Sequence, residues 1–327
     1  MTNASIDQSS TNQSNIEDWD QRYFAVPVAI LVGLPELRCD VYIQHIMSSR
    51  KLLYRGAHSN LPIGDDEKLR RRKVTHFYLR VEDQSQYDQA VRDALEAPTV
   101  DPAMRLALTV QQHRDAFQVA IRHRSAVPIV AASEKIANDV LQVINRDDFP
   151  VGTILGLLDH DNCTFQHSCN VAIYSATLAK RIGLGDQELN LLTNGGLLHD
   201  IGKRQIPAFI LRKPSKLDDR EREIIRQHPT TGFRELTAIP HLSWGQLMMA
   251  YQHHEWINGS GYPVGITGEE IHLWARICAV ADVFDALTAN RPYRESGHAQ
   301  AALEIMNKET GHFDQELIQL WGEMAIA

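Results

Sequence analysis

The chain has 327 residues, 43% of them hydrophobic and 23% charged, with a formal net charge of −8, the balance of an ordinary globular protein with room for one large domain or two. The negative balance excludes a protein whose main work is coating nucleic acid or an anionic membrane, while leaving room for a small anion in a locally basic pocket. Four scattered cysteines without a CxxC pair, and an apolar run (FAVPVAILVGLP) that is too short and proline-broken to span a bilayer and follows an acidic, polar stretch where a leader would carry basic residues, give a cytoplasmic expectation.

Residues 1–16 are Ser, Thr, Asn and Gln with almost nothing to bury, and predict a disordered tail. Residues 17–98 predict a small α+β regulatory or docking domain. RCDVYIQ, KLLYRG and HFYLRV read as short strands, DDEKLRRRK between the last two reads as a helix or loop, and SQYDQAVRDALEA reads as a helix. This region lacks the clustered acids and downstream lysine of a phosphoacceptor receiver. Residues 99–150 predict connecting helices, because DPAMRLALTVQQHRDAFQVAIRHRSA carries apolar residues at three- and four-residue spacing. Residues 151–327 predict an all-α domain. TFQHSCNVAIYSATLAKRIG stops at the capping Gly183, DQELNLLTNGGLLHD opens at Asp186, and Gly202 is expected to break that helix after His199 and Asp200. LDDREREIIRQHP opens at Asp218 and Asp219, with His228 expected at its end. WGQLMMAYQHHE and TGEEIHLWARICAVADVFDALTA complete the set.

Of fifteen histidines, ten lie from His160 onward, which directs attention to the C-terminal half. Taken singly, each candidate has an ordinary structural reading as well as a chemical one. His199–Asp200 could be a helix end, although a carboxylate beside Leu197 and Leu198 needs a compensating partner. His228 could favour a helix dipole, and His167, on the face of Val171, Tyr174 and Leu178, could be a satisfied core residue. Asp282 is harder to explain away, since RICAVADVFDALTA is apolar almost all round and a carboxylate buried there is costly unless paired. Asp285, one turn on, reads as a hydrogen-bonding support. Taken together, His167, His199, Asp200, His228, His253, His254 and Asp282 offer five imidazoles and two carboxylates without a thiolate, a donor set suited to Mn, Fe, Ni or Zn. Seven side chains exceed the need of one ion. Two ions sharing Asp200 would use them all and could trap a hydroxide for in-line displacement at phosphorus.

At this point the sequence resembles the HD-GYP family of HD metal-dependent phosphohydrolases. The resemblance runs from about Gly152 to Phe313 and rests on HDIGK (199–203), HP (228–229), HHEWINGSGYP (253–263), VADVFDALT (280–288) and RPYR (291–294) in order. It implies an all-helical HD-type domain at the C-terminus and hydrolysis of cyclic di-GMP to pGpG, in many members on to GMP. It implies one divalent ion on His167, His199, Asp200 and Asp282, and a second on Asp200, His228, His253 and His254. Lys203 would protonate or stabilise the leaving oxygen. Tyr262, with Gly261 and Pro263, would line the guanine side of the loop, and Arg291 and Arg294 would grip phosphates. A diguanylate cyclase (GGDEF protein) and a second copy of the chain are the candidate protein partners.

Two positions depart from the family. Where members with three metals carry a glutamate one turn before His167, this chain has Cys163, so two ions are expected. Where the family usually carries Asp, this chain has Asn258, which keeps the turn but loses a charge. Three readings therefore compete: a two-metal cyclic di-GMP phosphodiesterase, a phosphodiesterase for another cyclic dinucleotide, and a signalling adaptor that binds cyclic di-GMP or a cyclase without turnover.

Overall fold

The computed structural model describes residues 22–34, 37–44, 50–57, 69, 72, 74–146, 164–213, 215–288, 297–309 and 311–326. The expected tail, most of DDEKLRRRK, Cys163, Arg291 and Arg294 lie outside the described residues. The chain divides into two compact units between Leu108 and Thr109, and each is taken by itself.

The first unit holds strands β1 (Tyr23–Pro27), β2 (Val41–Gln44), β3 (Lys51–Arg55) and β4 (His76–Arg80), a short helix α1 (Val28–Val32) and helix α2 (Gln84–Glu96). The three strands expected from sequence are β2, β3 and β4; β1 was not separately foreseen. The sheet order is β1-β4-β2-β3, antiparallel throughout, with Phe24 opposite Leu79 and Tyr42 opposite Tyr78. Alternation along β4 buries Phe77 and Leu79 and turns His76, Tyr78 and Arg80 away from that core, the period of two that a half-covered sheet demands. Helix α2 buries Tyr87, Ala90, Val91 and Ala94, one stripe at helical spacing. The buried Arg105 guanidinium donates to the carbonyls of Leu95, Ala97 and Val100, satisfying oxygens that a helix end leaves free.

The second unit is all-helical among its described residues. The part of helix α3 (Pro102–Ile121) from Thr109 onward is followed by α4 (Val127–Arg146), α5 (Thr164–Arg181), α6 (Asp186–Leu198), a 3-10 segment (Ile201–Gln205) and the short α7 (Ala208–Leu211). Then come α8 (Asp219–Arg226), α9 (His228–Thr237), α10 (Trp244–Gln252), α11 (Leu273–Thr288), α12 (Gly297–Lys308) and α13 (Gln315–Ile326). Asp218 caps α8 through a reciprocal bond pair with Glu221, and Ser243 caps α10 with Gln246 in the same way. Helix α6 packs against α4, α5 and α10. A polar chain crosses that packing: Gln246 Nε2 donates to Asn194 Oδ1, and Asn194 Nδ2 donates to Ser133 Oγ. Helix α11 is buried on nearly every side, and the Tyr174, Phe284 and Trp321 rings close the core at 5.1–5.8 Å between centroids.

Two local expectations are corrected. Helix α6 ends at Leu198, before His199 and Asp200, so Gly202 does not break it. Gly202 is instead a place of close approach, because a Cβ there would lie 2.1 Å from the His228 carbonyl oxygen. His228 opens α9 instead of closing α8, which stops at Arg226. No described helix is long and apolar enough to cross a membrane.

Candidate metal centre

Helix ends supply most of the site. His199 follows the last residue of α6, His253 follows α10 with His254 next to it, and His228 stands at the junction of α8 and α9. His167 comes from α5 and Asp282 from the middle of α11. A helix leaves its last carbonyls without intrahelical partners, and three of these histidines use them. Nδ1 of His199 donates to Gly196 O at 2.7 Å, that of His228 to Ile225 O at 2.7 Å, and that of His253 to Met249 O at 2.9 Å. A carbonyl oxygen only accepts, so Nδ1 carries the proton and the neutral ring presents a bare lone pair on Nε2. His167 is pinned differently: Nδ1 donates to Asp285 Oδ2 at 2.7 Å, and the other oxygen of Asp285 accepts from Asn170 at 2.7 Å.

These three bare nitrogens, together with Nε2 of His167, face one another and two carboxylates. Asp200 Oδ1 lies 3.2 Å from His228 Nε2 and 3.7 Å from His253 Nε2. Its Oδ2 lies 3.5 Å from His199 Nε2 and 3.6 Å from His167 Nε2. Asp282 Oδ1 is 3.1 Å from His167 Nε2 and 4.0 Å from His199 Nε2. His228 Nε2 and His253 Nε2 approach to 3.2 Å with their protons committed elsewhere, so two lone pairs point at each other. His199 Nε2 and Asp200 Oδ1 are buried without a hydrogen-bond partner. Acceptors converging in a buried space are unfavourable unless a cation sits among them. The ligating atoms form three overlapping groups, each within 4.8 Å: His228 with His253 and His254, His167 with His199 and Asp282, and His199 with Asp200 and His253. The donor set and the orphaned atoms therefore fit metal ions.

Electrostatics agree with this arrangement. Burial holds His199 down to about 4, and burial also lowers His228 and His254, keeping these rings neutral and able to ligate near pH 7. At His167 burial opposes the charged form, but hydrogen bonds to Asp200, Asp282 and Asp285 raise it well above the usual range. A proton and a cation thus compete for that ring. Burial would raise Asp200, yet the Lys203 charge and the surrounding imidazoles hold it well below the ordinary carboxylate range. The Lys203 ammonium lies 2.5 Å from Asp200 Oδ2, and the carboxylates of Asp200 and Asp282 raise it against the effect of burial.

The segment after His254 folds back on it. Tyr262 N–H donates to His254 O at 3.0 Å. A Cβ on Gly261 would come within 2.5 Å of that same oxygen, so only glycine fits. Buried Glu255 accepts from the N–H groups of Val264 at 2.7 Å and Gly265 at 3.0 Å, fastening the far side of the loop around Pro263. Asn258 accepts from Ser260 N–H at 3.0 Å and from Ser260 Oγ at 2.6 Å, a turn that an aspartate would make equally well. The structure thus brings together all seven expected ligands and Lys203, with Tyr262 beside His254. Sequence reasoning missed Asn170 and the anchoring role of Glu255; the only signal for Glu255 was its place directly after the paired histidines.

An all-helical domain with paired His and Asp ligands at its helix ends defines an HD-type hydrolase domain. The HD domain family matches residues 156–317, so that region is an HD domain, and the chain is similar to proteins of the HD-GYP kind. A cyclic di-GMP phosphodiesterase of Pseudomonas aeruginosa is 35% identical over 213 residues, covering 65% of this chain and 50% of that one. A 3'3'-cGAMP-specific phosphodiesterase of Vibrio cholerae is 41% identical over 162 residues, covering 48% of this chain and 37% of that one. The chain thus spans about half the length, or less, of these relatives. Among solved structures, an HDG"Y"P protein from Bdellovibrio bacteriovorus has the same fold, with a TM-score of 0.64 at 19% identity over 93% of this chain and 100% of that one.

Proposed function

We propose that this chain is a metal-dependent phosphodiesterase that hydrolyses cyclic di-GMP to pGpG and on to GMP. The observation that carries the reading is the set of bare imidazole nitrogens and carboxylate oxygens gathered around Asp200, two of them buried without partners. One ion would be held by His167, His199, Asp200 and Asp282, the other by Asp200, His228, His253 and His254, with Fe, Mn or Ni best suited to the donors. When bound, such a pair supplies an activated water and neutralises charge on the phosphoryl oxygens.

The protein's own groups do the rest. Asp200 offers one oxygen to each end of the cluster. Lys203 stays a cation because the neighbouring carboxylates raise it, which favours charge stabilisation of the leaving 3′-oxygen over easy release of a proton. Gly261, Tyr262 and Pro263 would line the guanine side, and Arg291 and Arg294 would hold phosphates. The turn made by Asn258 lends no support to an adaptor without turnover, since its side chain is engaged with Ser260. A second substrate, 3'3'-cGAMP, is favoured by the likeness to the Vibrio enzyme.

The test is to load purified protein with Mn²⁺, Fe²⁺ or Ni²⁺, establish the bound metal by elemental analysis, and follow cyclic di-GMP and 3'3'-cGAMP in parallel and in competition. Formation of pGpG, then GMP, is expected. Turnover of 3'3'-cGAMP alone would move the substrate, and no product from either with metal bound would sink the reading.

A further inference from the structure

Four of the five imidazoles around Asp200 are held from behind by an acceptor on Nδ1: Asp285 for His167, and main-chain carbonyls for His199, His228 and His253. His254 has no such acceptor among the described residues. The bond from Cβ to an imidazole ring has a broad torsional profile, so an unpinned ring samples orientations that do not aim a nitrogen at a shared centre. What meets His254 is a ring. Tyr262 stacks on it at 4.7 Å between centroids and 25° between planes.

The loop is shaped to keep that ring in place. The Tyr262 N–H bond to His254 O, the missing Cβ at Gly261, and the grip of Glu255 on Val264 and Gly265 all fold the segment back over His254. From the end of α8, Arg226 sets its guanidinium carbon 4.9 Å from the centre of the Tyr262 ring, a cation–π contact. The Arg226 guanidinium makes no hydrogen bond or ion pair among the described residues.

We propose that Tyr262, backed by Arg226, is the positioning residue of His254, and that ring stacking there takes the place of the hydrogen-bond acceptors behind the other four imidazoles. The inference rests on reading the cluster as a metal centre. It gives the loop a task in metal binding as well as in meeting substrate. It also makes uptake at the His228–His253–His254 end depend on a loop, while the His167 end depends on helices alone.

The experiment uses the full chain, stripped by a chelator and titrated with Mn²⁺ by calorimetry and with Co²⁺ by visible absorption. The parent should take up two ions. Loss of a group that orients a ligand typically weakens metal binding 10- to 100-fold, so Tyr262→Leu should weaken one uptake step by about tenfold or more and change the Co²⁺ spectrum of that site. Tyr262→Phe, which keeps the ring, should restore the parent affinity. Arg226→Ala should weaken the same step by about threefold, with recovery in Arg226→Lys.

Two unchanged uptake steps in Tyr262→Leu overturn the inference. So does a Tyr262→Phe protein as weak as Tyr262→Leu, because the hydroxyl would then be the acting group. Arg226 is exposed, so its substitution spares the core; should Tyr262→Leu fail to fold, unchanged uptake in Arg226→Ala overturns the inference on its own. A parent that takes up no ion sinks the metal reading itself, a different result from a parent and variant that both take up two.

Discussion

The two ends of the cluster are built by different means. At one end His167, His199 and Asp282 stand on or directly after long helices. Behind His167 runs a chain of buried polar side chains, Asp285 to Asn170 to Gln166, each hydrogen-bonded to the next. At the other end His228 stands at the start of α9 and His253 directly follows α10, but His254 lies one residue further on and is met by a ring from the loop that follows. Helices packed in a core open rarely, whereas loops open with little free-energy cost. The His167 end is therefore the preorganised one, and the His254 end is the one a loop can adjust.

The largest expected effect removes the comparison altogether. Asp200 faces both ends through different oxygens. Asp200→Ala should abolish both uptake steps in the calorimetric titration and lower turnover by well over the ~100-fold that follows loss of an outer partner. Retention of either step at parent strength would show that the carboxylate is not shared. Next in size, Asp285→Asn weakens the acceptor behind His167. It should cost the His167 end about 10- to 100-fold in affinity and leave the other end unchanged, the mirror image of the Tyr262 substitution. Equal weakening of both steps would mean that the ends are not independent. The smallest effect concerns the backbone between them. A methyl on Gly202 would meet the carbonyl of His228, so Gly202→Ala should destabilise the fold by about 1–3 kcal/mol, read by thermal melting, with any loss of affinity confined to the His228 end.

Much of the site was legible in the sequence, for a physical reason. Carboxylates within apolar helical stretches need partners, which singled out Asp282 and Asp200 from the sequence. The local geometry of HDIGK was misread because Gly202 suggested a helix break, when its smallness serves the approach of the His228 backbone. The partner that orients His167 is 118 residues away in the chain, and periodicity within one helix carries no information about such pairs. Asp285 could be foreseen as a support but not assigned to its histidine. The α+β character of the first unit was legible from short segments rich in Val, Leu and Tyr, while β1 escaped notice because it runs directly into α1.

The carbonyl contacts of three histidines bear on how much of the site is oriented by local structure. His199 and His228 each bond to a carbonyl three residues earlier, and His253 to one four residues earlier. Each ring thus finds its acceptor within its own stretch of chain, so its tautomer is set by local structure. His167 has no such local provision. Three rings are thus oriented from within their own stretch of chain, while His167 meets Asp285 from α11 and His254 meets the Tyr262 ring.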